Sequence, residues 1–117
     1  MKIDLKNLTI EKAQESFKNG DFSVSDLTHE YLKIIKEKNS DINAYLEIFE
    51  VKEQIKIAEE MFKNGTAVSM TGIPVAIKDN MLFEGHIASA GSKILENYQA
   101  TYDSGVVGQL KNAGAII

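Results

Sequence analysis

The sequence predicts an α/β fold in which a mixed β-sheet is covered by helices on both faces. Residues 73–77 form a short, continuous apolar run, IPVAI, which is typical of a strand buried on both faces. Residues 42–48 alternate between apolar and polar side chains, which is typical of a strand with one buried face. Segments with helical spacing surround both runs. No repeat, linker or low-complexity tract indicates a second domain, so residues 1–117 are expected to form part of a single domain.

Two helices are predicted before the first strand. Thr9 can cap a helix that runs to about Lys18, because its hydroxyl can accept a hydrogen bond from a free N–H group of the first turn. Ser23 and Asp26 resemble a capping box at the start of a second helix, which is predicted to run to about Lys38. The apolar residues of this helix share one face: Val24, Leu27, Tyr31, Ile34 and Ile35.

A third helix is predicted for residues 51–64, where apolar residues recur at helical spacing before Gly65. Gly72 and Pro74 mark the entry to the apolar strand, and proline is acceptable there because it lies at the beginning of the strand.

The end of the chain is predicted to contain one more helix. Residues 82–101 have weak periodicity and are expected to be irregular. Asp103 can cap a helix that ends near Asn112, although the glycines at 105 and 108 weaken it. Residues 115–117 have the apolar character of the start of another strand.

The composition is that of an ordinary globular protein, with 44% hydrophobic and 26% charged residues and a net charge of -4. All 13 basic residues are lysines, so the segment lacks the guanidinium fork that favours phosphate and base-edge recognition, and direct nucleic-acid binding is not expected. The absence of cysteine excludes disulfides and thiolate metal sites. No apolar run approaches membrane-spanning length, and we expect a cytoplasmic protein.

Lys78 is the main candidate for a chemical role. It follows the apolar strand directly, and in open α/β sheets functional sites lie outside the carboxyl ends of strands. Partial burial there would disfavour the ammonium form and allow the amine to act as a general base. Asp79 and Asn80 can orient the lysine or close the turn through side-chain hydrogen bonds. Pattern alone also fits a strand that ends in a polar surface turn.

Four further polar residues are weaker candidates. His29 is predicted to lie on a solvated helix face, and His86 has no cysteine or histidine partner at metal-ligand spacing, so no metal site is expected. Ser89 and Ser92 follow the lysine strand, but a nucleophilic serine needs a positioned base, and turn or capping roles explain them more simply.

The segment GIPVAIKDN, residues 72–80, closely resembles the segment that carries the catalytic lysine in the amidase signature family. Five other segments match that family in order, namely residues 25–32, 42–45, 91–98, 102–107 and 110–117, although Gly105, Gly108 and Gln109 depart from its usual residues. Within the family, these flanking segments are most similar to the A subunit of the glutamine-dependent aspartyl/glutamyl-tRNA amidotransferases.

The resemblance implies a mechanism based on a serine, a cis-serine and a lysine. Lys78 would be the general base, which takes a proton through the bridging serine while the second serine attacks a carboxamide. The two serines belong to a Gly/Ser-rich stretch that does not occur in residues 1–117. Asp79 and Asn80 would support the lysine.

The resemblance also implies partners. The amide donor would be glutamine, and the released ammonia would pass to a partner subunit that amidates glutamate or aspartate misacylated on tRNA. The family's A subunit would form a heterotrimer with subunits B and C, and the partner subunit would bind most of the tRNA and use ATP and Mg. This segment itself would hold no cofactor.

Members of the family are several times longer than this chain. We therefore expect residues 1–117 to be the N-terminal portion of a longer protein and to be inactive alone. Two alternatives remain open: a stand-alone amidase of the same family that acts on another carboxamide, and a truncated, non-catalytic protein that binds a partner through an unpaired sheet edge.

Overall fold

Four α-helices form the regular secondary structure of the computed structural model, which describes residues 2–117. None of the helices in these residues combines the length and the apolarity needed to cross a membrane. Helix α1 spans Ile10–Asn19, α2 spans Val24–Ile42, α3 spans Lys52–Lys63 and α4 spans Gly105–Asn112, with a short 3-10 turn at Lys93–Leu95.

The predicted caps of α1 and α2 are both present. Thr9 Oγ1 accepts a hydrogen bond from the Lys12 N–H group at 3.2 Å. At the start of α2, Ser23 Oγ accepts from the Asp26 N–H group at 3.0 Å, and the Asp26 carboxylate accepts from the Ser23 N–H group at 2.8 Å. This reciprocal pair is a capping box. Both helix starts are therefore confirmed.

The predicted end of the second helix near Lys38 is wrong. Helix α2 continues to Ile42 and ends at Asn43, which adopts a left-handed conformation with φ of 52°. The Asn39 side chain then binds both backbone groups of Tyr45, accepting from its N–H group at 2.8 Å and donating to its carbonyl at 2.9 Å. These bonds hold the chain as it leaves the helix.

The strand predicted for residues 42–48 is also absent. Ile42 belongs to α2, and the following residues form no strand. Their apolar side chains are largely exposed, since Leu46 is 71% exposed and Ile48 is 47% exposed. A half-buried strand needs a neighbouring strand and a surface to cover, and neither is provided here.

The third predicted helix is confirmed with slightly shorter bounds, Lys52–Lys63. A carboxylate oxygen of Glu50 accepts a hydrogen bond from the Lys52 N–H group at 3.2 Å at its start. Ile55 and Ala58 lie on the buried face, one turn apart.

Residues 73–77 pair with the end of the chain over a short distance. Pro74 forms a parallel bridge with Ile116. Three backbone hydrogen bonds join the two segments, from Gly72 N to Gly114 O, Val75 N to Ile116 O and Ile116 N to Ile73 O, at 2.8, 2.7 and 3.0 Å. The lysine segment therefore has one backbone partner along this edge.

The predicted mixed sheet is not present in residues 2–117. Apart from the Pro74 bridge, the only sheet pairing within these residues is an antiparallel bridge between Ile87 and Gln99. Two single bridges do not make a ladder, because a regular strand needs successive bonds to a neighbour. Residues 82–101 are otherwise irregular, as predicted, with the 3-10 turn as their one helical element.

The cap of the last helix differs from the prediction by one residue. Ser104 Oγ, rather than Asp103, accepts a hydrogen bond from the Val107 N–H group at 3.3 Å. Asp103 instead accepts from the Glu84 N–H group at 2.9 Å and from Lys111 Nζ at 2.6 Å. Asp103 thus ties the irregular loop to α4.

The paired segments supply side chains to three apolar clusters. Adjacent residues Ile116 and Ile117 enter different clusters, as expected for extended chain, in which successive side chains point to opposite faces. Ile73 packs with Ala13 and Leu27, Ile116 packs with Val24, Ile55 and Ala58, and Ile117 packs with Phe83 and Val107.

Two glutamines fasten the paired segments to the helices. Gln14 Nε2 donates to the Thr71 carbonyl at 2.7 Å, and Thr71 Oγ1 donates to the Ala113 carbonyl at 2.8 Å. Gln54 binds both backbone groups of Ile117, donating to its carbonyl at 3.0 Å and accepting from its N–H group at 2.7 Å. The glutamine side chains thus bind backbone groups that have no backbone partner. An unpaired polar group would be costly when buried.

Substitution of Gly72 by alanine is expected to destabilise the protein more than substitution of Gly65. Both glycines have positive φ, +75° and +70°, and an alanine in this conformation costs about 1–2 kcal/mol. A Cβ at Gly72 would lie 2.6 Å from Val24 Cγ2, whereas nothing lies within 4 Å at Gly65. Overpacking therefore adds about 1–3 kcal/mol at Gly72 alone.

Urea unfolding of the two variants, followed by circular dichroism, measures this difference. Gly65→Ala is the matched control for the backbone conformation. Equal losses of stability would contradict the close approach of Gly72 to α2.

Candidate active site

Lys78 lies where the paired segment ends and the chain turns. Before it, Ile77 packs against the cluster of Phe83, Val107 and Ile117. After it, the Met81 N–H group donates to the Lys78 carbonyl at 2.9 Å and closes a tight turn. The Lys78 backbone is therefore held on both sides.

The side chain of Lys78 is exposed. The expected partial burial of this lysine is thus not provided by residues 2–117. Asn80, in the same turn, is exposed as well. The geometry supplies a fixed backbone for the amine but leaves its surroundings open to solvent.

Asp79 fastens this turn to the loop at residues 89–91. Its carboxylate accepts hydrogen bonds from the Ser89 N–H group, at 3.2 Å, and from the Ser89 hydroxyl. Its carbonyl accepts one from the Ala90 N–H group at 3.1 Å. The Ser89 hydroxyl bond, with smaller contributions from backbone N–H groups, lowers the pKa of Asp79. Asp79 is therefore a fixed carboxylate that orders the lysine turn.

The loop held by Asp79 contains a strained residue. Ala90 has φ of 50°, and Gly91 beside it has φ of 69°. The left-handed conformation costs an alanine about 1–2 kcal/mol, and it persists only where surrounding contacts enforce it. The bonds to Asp79 are such contacts.

His86 has a partner that the sequence did not indicate. Its Nδ1 lies 2.7 Å from a carboxylate oxygen of Glu47, 39 residues earlier in the chain. The imidazole also packs at a tilt against two phenylalanines that contact each other, with ring centroids 4.3 Å from Phe49 and 4.6 Å from Phe83. These contacts join the segment after α2 to the loop after Lys78. Only the tertiary structure brings these residues together.

A cleft of about 470 Å³ opens beside Lys78. One wall is the segment that His86 holds, residues 44–47 with Phe49, and the other is the lysine turn, residues 76–79. An amine at the edge of such a cleft can exchange a proton with a bound polar group once its charge is removed. Lys78 is the only amine among the residues that line this cleft.

Two further candidates, His29 and Ser92, do not line the cleft. His29 is exposed, and its Nδ1 lies 2.7 Å from the Ser25 carbonyl on its own helix. The Ser92 N–H group donates to the Ser89 carbonyl at 2.8 Å, which is a turn contact. Within residues 2–117 there is no group of three or more histidine, aspartate or glutamate side chains placed to hold a metal ion.

Comparison with known proteins gives consistent matches. A family model described as Amidase matches residues 26–117. The A subunit of glutamyl-tRNA(Gln) amidotransferase from Caldanaerobacter subterraneus subsp. tengcongensis is 41% identical over 117 residues, which is 98% of this chain and 24% of that protein. The protein of the same name from Brachyspira hyodysenteriae is 41% identical over 120 residues, covering 98% of this chain and 25% of its own length.

Solved structures agree with the sequence matches. An amidase family protein from Bacillus anthracis superposes with a TM-score of 0.85 at 30% identity, over 94% of this chain and 23% of that chain. A chain of a vestigial complex related to an s-triazine catabolic enzyme gives a TM-score of 0.85 at 26% identity, over 93% and 25%. The chain spans about a quarter of the length of the curated relatives it matches.

The hydrogen bonds from Ser89 and Ala90 to Asp79, here called the Asp79 clamp, predict that the stability of the fold decreases at acid pH. Because the folded state lowers the pKa of Asp79, the carboxylate stabilises the fold above its usual pKa near 3.8, and this stabilisation is lost as the pH falls through the lower folded value. Asp79→Asn should therefore be less stable than the wild type at pH 7, with a difference that shrinks at pH 3.

Urea midpoints of the wild type and of Asp79→Asn at both pH values measure the effect. Asp41→Asn, at an exposed position near the end of α2, is the control and should not reduce stability at pH 7. A difference between Asp79→Asn and the wild type that is as large at pH 3 as at pH 7 would exclude a role for the ionised carboxylate.

Proposed function

Because the chain belongs to the amidase family, we propose that it is the N-terminal portion of a longer enzyme that hydrolyses the side-chain amide of glutamine, with Lys78 as the base. The observation that supports this proposal is that the Lys78 backbone is held between the packed Ile77 and a closed turn, at the edge of a cleft. The matched lysine segment lies within the residues that the family model covers.

The proposed reaction uses two serines of the longer protein. Lys78 Nζ, in its neutral form, takes the proton of the bridging cis-serine, which in turn takes the proton of the nucleophilic serine. The nucleophile attacks the carboxamide carbon, ammonia leaves with a proton returned through the same path, and an ester remains on the serine. Water then cleaves the ester to glutamate and regenerates the serine.

The open surroundings of Lys78 are consistent with a missing covering. A general base must be the neutral amine, because an ammonium ion cannot accept a proton. The longer protein would cover the cleft, displace water from Lys78 and so favour the neutral amine. It would also pair with residues 73–77 and complete a mixed sheet with helices on both faces.

We further propose that the ammonia serves a transamidation reaction. The curated relatives are named as the A subunit of glutamyl-tRNA(Gln) amidotransferase, which supports a place in a multi-subunit assembly. In this proposal subunits B and C complete a cytoplasmic heterotrimer. The partner subunit binds most of the tRNA and uses ATP and Mg to convert Glu-tRNA(Gln) or Asp-tRNA(Asn) to the amide.

A second candidate function is that of a stand-alone amidase on another carboxamide. The structural match to an amidase family protein from Bacillus anthracis supports this alternative. Both candidates use Lys78 in the same role. Ammonia release from glutamine that depends on a partner subunit and a tRNA-bound substrate supports the first candidate, whereas release from another amide without them supports the second.

Removal of the Lys78 amine is expected to abolish glutamine hydrolysis in the longer protein. General-base catalysis typically contributes on the order of 10²–10⁴-fold, so kcat of Lys78→Ala should fall by at least that range. Lys93→Ala, which removes an exposed lysine of the following loop, is the matched control and should retain activity.

Ammonia release in a coupled assay measures both variants. Unfolding temperatures establish that each variant is folded. Near-normal turnover of a folded Lys78→Ala variant would contradict the role of this lysine as the base.

The 117-residue chain alone is expected to release no ammonia from glutamine, because it carries the base without the two serines. The same assay at high protein concentration tests this expectation. Turnover that disappears in Lys78→Ala of the short chain would contradict it, since a nucleophile would then have to lie within residues 1–117.

A further inference from the structure

We propose that Ser89 is a positioning residue for Lys78 and that it acts through Asp79. The inference deepens the proposed function and rests on it, because it concerns the geometry of the same base. Ser89 lies ten residues after Asp79 in the chain and outside the lysine turn. Its hydroxyl joins the two segments.

The first step of the argument is the set of bonds between residue 79 and the loop. Three hydrogen bonds converge on Asp79: the Ser89 N–H group and hydroxyl on its carboxylate, and the Ala90 N–H group on its carbonyl. Both Asp79 and Ser89 are half-buried, so water competes with these bonds less than it does at an exposed pair. The clamp therefore fixes side chain and backbone of Asp79 together.

The second step is the conformation of the loop. Ala90 is one of two non-glycine residues with positive φ within residues 2–117, and it lies directly after Ser89. A relaxed loop would let Ala90 leave the left-handed region. The clamp holds Ala90 in this region. The strained residue is therefore bonded to Asp79, which directly follows the candidate base.

The third step links the clamp to the amine. Asp79 directly follows Lys78, and the turn is closed by the bond from Met81 to the Lys78 carbonyl. If release from Ser89 lets the end of the long lysine side chain move by about 1 Å, the movement exceeds the roughly 0.5 Å within which a catalytic geometry must be held. Displacements of this size can reduce the rate by roughly 100-fold.

The bond also argues against Ser89 as a nucleophile. Its hydroxyl donates to the Asp79 carboxylate and not to the lysine. The same bond lowers the pKa of Asp79, which makes this carboxylate a poor base for activating a hydroxyl. Ser89 thus holds the site without entering the reaction.

The test compares Ser89→Thr with Ser89→Val in the longer protein. The two side chains have the same shape, but only threonine carries a hydroxyl that can donate to Asp79. We expect kcat for glutamine hydrolysis, per folded enzyme, to be roughly 10- to 100-fold lower in Ser89→Val than in Ser89→Thr, with KM unchanged. Ser92→Ala, in the same loop, is the control and should match the wild type.

Two comparisons separate the possible outcomes. Equal kcat in the threonine and valine variants overturns the positioning role, and so does a change confined to unfolding temperature or KM. Normal activity of Lys78→Ala in the same assay would instead remove the proposed function. In Asp79→Asn, the additional effect of Ser89→Val should disappear, because the two residues act as one unit.

Discussion

The backbone pairing of residues 72–75 with residues 114–116 is the contact on which the rest of the structure depends. It joins segments that lie 42 positions apart, as the neighbouring bond from Thr71 to Ala113 illustrates, and closing such a loop has an entropic cost. Three short backbone bonds offset only part of that cost. The remainder comes from the apolar side chains that the paired segments contribute to three clusters, two of which also share Phe17.

This arrangement explains why Lys78 has a defined position despite an exposed side chain. The pairing fixes the chain up to Val75, the packing of Ile77 extends that order, and the clamp on Asp79 continues it beyond the lysine. The amine thus extends from a rigid segment into an open cleft. A functional side chain is best placed on a fixed backbone, and the open cleft leaves room for other residues to contact this amine.

Much of this could be predicted from the sequence where the signal was local. The starts of α1 and α2 were predicted correctly from Thr9 and Ser23, and α3 was predicted from its apolar spacing. Caps and helical periodicity act within one or two turns, so the sequence carries them locally. The prediction of a strand at residues 42–48 was wrong, because alternating apolar residues form a strand only beside a partner strand, and residues 2–117 supply none. The cap at Ser104 was missed because two adjacent residues could serve, and Asp103 has a distant partner in the Glu84 N–H group.

The features of the candidate site also fall into local and non-local ones. The position of Lys78 at the end of an apolar run is a local pattern, and so is the turn that follows it. The Ser89 bond to Asp79 and the Glu47 bond to His86 join residues 10 and 39 positions apart, and no periodicity relates such pairs. The apolar run did not predict the exposure of Lys78, because the burial of an apolar run depends on neighbouring segments, and even Ala76 within this run is exposed.

Chemical rescue is the most direct test of the claim that Lys78 is a base. Glutamine hydrolysis by Lys78→Ala in the longer protein would be measured against increasing concentrations of small primary amines. If Lys78 is the base, amines should restore the rate in a saturable manner, with more basic amines more effective at equal concentration of neutral form. A folded Lys78→Ala variant that stays inactive with every amine small enough to enter the space left by the side chain would contradict this role.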